Sequence, residues 1–282
     1  MRRKFILLCA TLVFLTTMTG NVFAKPDKEG LPDTLTGYKV DVGGFKLYGE
    51  VNGTKGKYPT VVFDAGYGDS YTIWDKVEPT VRKQTQTVLY DRAGIGWSQQ
   101  SMGSTHTALD QSIQLHKLLK GLNVPPPYLF VTHGISGLNV RMYAALYQDE
   151  VSGVVFLDPS YEFQEQTLFP DEMDELVRRY KTEMVEEGDW IDLNITYGQV
   201  ARTSRPLDPL RDLPIYVVTA GKKAFDTETM KIWNNMQKDI ASLSDIAVRV
   251  VDKKSGHYVM TDNPDTVIKA VDNVLTQIQA LP

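Results

Sequence analysis

Two short alternating runs, residues 38–42 and 45–51, are separated by Gly43-Gly44 and closed by Asn52-Gly53, a pattern that predicts an antiparallel hairpin at a sheet edge. Beyond it come apolar, β-branched runs at 60–63, 87–90, 128–132, 154–157, 215–219 and 247–251, each bounded by turn residues. Runs that are apolar on both faces predict buried parallel strands. Between them the apolar positions recur at helical spacing over 108–122 (Leu109, Ile113, Leu115, Leu118, Leu119, Leu122), over 138–147 and over 264–278. Alternating strands and helices place the chain in the α/β class. One interval breaks the rhythm. Residues 161–210 carry no parallel-strand pattern and are rich in acids and aromatics, among them Phe163, Phe169, Trp190 and Tyr197, so an inserted cap whose aromatics line a pocket is expected there.

The amino terminus has a different logic. Arg2-Arg3-Lys4, the apolar run FILLCATLVFL and Val22-Phe23-Ala24 form the charged, apolar and small-residue regions of a secretory signal, with cleavage expected after Ala24. The apolar run is shorter than the roughly 20 residues a bilayer span needs, and polar residues 25–30 follow it, so no stable membrane span is expected after cleavage. The domain reading is therefore a signal peptide at 1–24, a core at 25–160 and 211–282, and a cap at 161–210.

Composition narrows the chemistry. The 282 residues carry 30 Lys+Arg against 35 Asp+Glu, a net charge of -5, and losing Arg2, Arg3 and Lys4 with the leader takes it to -8. Such a chain has no global positive field for a phosphate backbone, so no nucleic-acid partner is expected. The single cysteine, Cys9, lies in the leader. An exported product would thus have no disulfide, no thiolate nucleophile and no cysteine metal site. The spacing of His106, His116, His133 and His257 against the carboxylates forms no zinc pattern, so neither metal nor cofactor is expected.

Four segments in order, VVFDAGYGDSYTIW, LYDRAGIGWS, VTHGISGLNVRMYA with VVFLDPS, and SGHYV, resemble the α/β-hydrolase superfamily, in particular its cap-bearing ester and amide hydrolases. The resemblance spans nearly all of 38–278 and implies an α/β-hydrolase fold: a mostly parallel, eight-stranded-type sheet flanked by helices, with an inserted cap. It also implies a nucleophile on the sharp turn after the strand at 128–132. Here the chain departs from the pattern. With His133 on one side and Gly137 and LNVRMYA on the other, the nucleophile position holds Gly134, and Ser136 lies two residues late. Ser136 has two readings, a displaced nucleophile or a small residue that packs or bonds near the helix start.

His257 matches the family's general base, in a loop after the last strand. A histidine base needs a carboxylate behind it. Asp158, ending VVFLDPS, and Asp226, after the strand at 215–219, are the two candidates, Asp158 the preferred one. The backbone amides of Tyr67 and Ile135 are the implied oxyanion donors, and Asp91-Arg92-Ala93-Gly94 is expected to brace loops beneath the site. Two functions follow. One is an exported hydrolase of small apolar esters or amides whose missing serine at 134 limits its activity. The other is a non-catalytic binder that keeps the pocket for recognition.

Overall fold

The structure is a computed structural model that describes residues 25–101, 106–168, 193–222 and 226–281. The expected leader and residues 169–192 of the expected cap lie outside these.

Eight strands form one sheet: β1 (Tyr38–Asp41), β2 (Lys46–Asn52), β3 (Thr60–Asp64), β4 (Thr87–Tyr90), β5 (Tyr128–His133), β6 (Val151–Leu157), β7 (Ile215–Ala220) and β8 (Val248–Asp252). Their spatial order is β1-β2-β4-β3-β5-β6-β7-β8. The β1/β2 hairpin and the β2/β4 pair are antiparallel, and every other pair is parallel. Strands β3, β4 and β5 are buried along their whole length, the physical counterpart of their unbroken apolar runs.

Helices α1 (Ala108–Gly121), α2 (Ser136–Leu146), α3 (Thr227–Ala241) and α4 (Pro264–Ala280) flank the sheet. Period-2 alternation sorts the strand residues into two cores. Val62, Phe130, Phe156 and Val217 pack with Leu115, Leu118, Val140, Tyr143 and Ile240 on the face carrying α1, α2 and α3. Val61, Phe63, Leu129, Val131, Val155 and Val218 pack with Val267, Val271 and Val274 of α4 on the other. Thr107 caps α1 through a reciprocal capping box with Asp110. Helix α3 has no counterpart among the sequence-predicted elements. Its apolar positions Met230, Trp233, Met236 and Ile240 recur at helical spacing, and its start is set by Asp226, whose carboxylate accepts the Glu228 and Thr229 N–H groups.

In the interval between β6 and β7 the described residues include helices at Gln164–Leu168 and at Leu193–Gln199, the latter running on through a wide turn at Val200–Ser204 to Arg205–Leu207. No strand occurs among them. No helix among the described residues is long and apolar enough to cross a membrane.

The carboxyl ends of β5, β6 and β7 are stitched together. Gly134 N–H donates to Leu157 O at 3.1 Å, Asp158 N–H to Val218 O at 2.7 Å and Ser160 N–H to Gly134 O at 2.9 Å. In open parallel sheets this is the end where ligands bind.

Candidate active site

Strand β5 ends at His133 and α2 begins at Ser136, so only two residues make the turn, and Gly134 takes φ +54°. That left-handed region is open to glycine and costly for other residues. A Cβ built on Gly134 would lie 3.3 Å from His257 Nε2 and 3.4 Å from Cε1. The side-chain direction at position 134 therefore faces the imidazole.

His257 sits in the loop between β8 and the short helix Val259–Asp262. The loop is fixed from several sides: the Gly221 and Lys222 N–H groups donate to Ser255 O, Ser255 Oγ bonds Asp252 Oδ2 at 2.6 Å, and Gly256 N–H donates to Asp262 Oδ2 at 2.8 Å. His257 Nδ1 lies 2.8 Å from Asp158 Oδ2, with the histidine side chain 49% exposed and the aspartate 6%. An ionised carboxylate only accepts, so it fixes the proton on Nδ1 and leaves Nε2 with a lone pair directed at position 134. One ring nitrogen thus meets a carboxylate and the other faces position 134.

The other oxygen of Asp158, Oδ1, accepts Ala220 N–H at 3.1 Å and the Trp233 indole Nε1–H at 3.0 Å. Trp233 was not among the residues read from the sequence, because a lone tryptophan on a half-buried helix carries no motif. Asp226 is solvent-exposed at the amino end of α3, where the Thr229 hydroxyl and amide hold its carboxyl below the usual range. Among the described residues its carboxylate bonds Glu228 and Thr229 of its own helix start, and it is Asp158 that stands behind the histidine.

Ser136 is wholly buried. Its hydroxyl lies 2.9 Å from the carbonyls of both Asp64 and His133 and accepts His133 N–H at 2.8 Å. It ties the end of β3 to the end of β5 and does not face His257. His133 is buried beneath the base: Nε2 donates to the His257 carbonyl at 3.1 Å, the two rings lie 4.4 Å apart, and burial pushes the His133 imidazole below the usual histidine range.

Both candidate oxyanion amides are aimed by the peptide that carries them. In a trans peptide the N–H points opposite the preceding carbonyl. The Gly66 carbonyl is held by Arg92 Nη2, and Arg92 Nη1 also bonds Ala65 O at 2.6 Å and Asp64 Oδ1 at 3.1 Å, so Arg92 sets the direction of the Tyr67 amide. The Gly134 carbonyl accepts Gly137 and Ser160 N–H, which sets the Ile135 amide at the start of α2. Asp91 receives the Tyr71 and Trp97 N–H groups at 2.8 and 2.9 Å, a loop-bracing role.

Two hollows are lined by the described residues. One, of about 500 Å³, opens between Gly221, Thr227, Met230 and Asn234. The other, of about 350 Å³, is lined by Phe163, Glu165, Tyr197 and Arg202 of the expected cap, whereas Phe169 and Trp190 lie outside the described residues. Neither hollow contains Gly134 or His257 in its wall.

Comparison with known proteins agrees with the fold. The family model described as the alpha/beta hydrolase fold matches residues 59–189. The "Uncharacterized protein YqjL" of Bacillus subtilis (strain 168) is 30% identical over 220 residues, spanning 76% of this chain and 83% of that protein. Among solved structures, a thermophilic esterase from Thermogutta terrifontis superposes with a TM-score of 0.60 at 16% identity, over 86% of this chain and 99% of that one. The enol-lactonase from Burkholderia xenovorans LB400 also gives 0.60, at 17% identity over 84% and 99%. The chain belongs to the alpha/beta hydrolase fold family, as its sheet order and turn geometry already indicate.

Proposed function

We propose that this protein is exported and acts on small apolar esters or amides by base-assisted attack of water, without an acyl-enzyme. The observation that carries the reading is the lone pair of His257 Nε2 facing a position with no side chain, while Nδ1 is held 2.8 Å from Asp158. Water placed beside Gly134 would give its proton to Nε2 as its oxygen attacks the carbonyl carbon. The Tyr67 and Ile135 amides would receive the oxyanion. Collapse breaks the bond to the leaving group, and the imidazolium returns the proton to it, giving acid and alcohol or amine.

Turnover should be low, since losing the nucleophile of a related triad costs on the order of 10⁶-fold while amides and binding alone retain about 10³-fold over water. Gly134→Ser is expected to raise activated-ester turnover at least roughly 10²-fold, about 2.7 kcal/mol of barrier, with His257→Ala removing the gain. Only the serine variant should form an organophosphate adduct. A folded Gly134→Ser that gains nothing on ester and amide panels would favour the ligand-binding reading, which the glycine at 134 also supports. An adduct on the unaltered protein, lost in Ser136→Ala, would overturn both.

A further inference from the structure

We infer that Trp233 is a positioning residue that holds the Asp158 carboxylate turned toward His257, an inference that rests on reading these two residues as acid and base. Asp158 needs such a hold. It is a buried, non-glycine residue at φ +40°, just past the end of β6, in the left-handed backbone region that side-chain-bearing residues rarely adopt. A carboxyl group in that position is free to rotate unless both oxygens are engaged.

The engagement is divided between two neighbours. Ala220 N–H reaches Oδ1 from β7, and the Trp233 Nε1–H reaches the same oxygen from α3, leaving Oδ2 for His257. The indole N–H is a donor with no acceptor capacity and does not titrate in water. Donating to Oδ1, it holds the carboxylate in the orientation that leaves Oδ2 facing His257 Nδ1. One turn further along α3, the fully buried Gln237 donates Nε2–H to the Pro159 carbonyl at 2.8 Å. The same helix face thus grips both the side chain of Asp158 and the backbone that follows it.

This gives Asp226 a part in the site that differs from the one its sequence position suggested. Its carboxylate starts α3, and the helix places Trp233 two turns later against the acid that is used.

The test uses the full chain with histidine and tryptophan side chains labelled for NMR. Trp233→Phe keeps an aromatic ring and removes the N–H. The His257 Nδ1 proton signal is expected to be displaced or lost to exchange, while a mere packing role would lower the unfolding midpoint and leave that signal in place. In the Gly134→Ser background, ester turnover should fall about tenfold in kcat with KM unchanged, corresponding to about 1.4 kcal/mol. Should Trp233→Phe not fold, Asp158→Asn is read instead at the Trp233 Nε1 proton, which is expected to move. An unchanged His257 signal in folded Trp233→Phe, or an unchanged indole signal in Asp158→Asn, overturns the inference. The NMR arms need no turnover, so they decide it even if the hydrolase reading fails.

Discussion

Gly134 and Ser136 stand two positions apart on one turn, and their environments differ completely. At 134 the backbone is left-handed and the side-chain direction runs into His257; at 136 the hydroxyl is enclosed between two strand ends. Gly134→Ser is therefore expected to cost about 1–2 kcal/mol of stability through its positive φ, even as it gains turnover. The 3.3 Å approach to His257 Nε2 is tight, but the ring is half exposed and can yield. Ser136→Ala should do the converse: no change in ester turnover, and a loss of about 1–3 kcal/mol because the buried His133 N–H and Asp64 carbonyl lose their partner. Urea unfolding of both variants checks the two signs.

At the scale of elements, Glu162 ties four segments together. Its carboxylate takes two bonds from buried Arg141 of α2, at 2.6 and 2.7 Å, and one from Arg205 at 2.5 Å, and Arg205 in turn pairs with Asp239 of α3. Residues 162 and 205 lie near the two ends of the expected cap, so this cluster closes its base onto the core. Burial alone would raise the Glu162 carboxyl, but the bonds and charge of Arg141, then of Arg205, outweigh it and hold it at about 2 against an ordinary 4.5. A depressed carboxylate contributes stability above its ordinary value and loses it as the pH falls toward the folded value. Stability should accordingly fall between about pH 5 and 2, with urea midpoints at pH 6 and pH 3 showing the loss, and Glu162→Gln should flatten that part of the profile. Glu162→Ala should cost about 3–5 kcal/mol, because Arg141 is left buried without an anion.

For the molecule as a whole, the apolar run at 5–15 and Ala24 predict an exported product. Intact mass of the extracytoplasmic protein should correspond to a chain beginning at Lys25. A product still carrying Met1 or Arg2 would remove the export half of the proposal. The sheet order puts His257, Asp158 and Gly134 at the carboxyl ends of β8, β6 and β5, neighbouring regions of one sheet edge, so a site assembled from residues more than 120 positions apart depends on every intervening strand pairing in register. One slipped strand would separate His257 from Asp158.

The strands, three of the four long helices and the identity of the unusual turn were legible in the sequence, because each is written in local chemistry. Apolar runs specify buried strands, helical spacing specifies α1, α2 and α4, and the residues around Gly134 fix its place between β5 and α2. Helix α3 was missed although its apolar positions Met230, Trp233, Met236 and Ile240 do recur at helical spacing; what no local pattern shows is that Trp233, Asn234 and Gln237 spend polar atoms on distant partners. Asp158 was preferred to Asp226 from the chain, but only narrowly, since both follow a strand and both suit a carboxylate behind a histidine. Tertiary structure decided it: Oδ2 of Asp158 is 2.8 Å from the imidazole, while Asp226 is occupied with the first turn of α3. Hydrogen-bond partners distant in sequence are set by how the strands stack side by side, and that order is a property of the folded sheet rather than of any local run of residues.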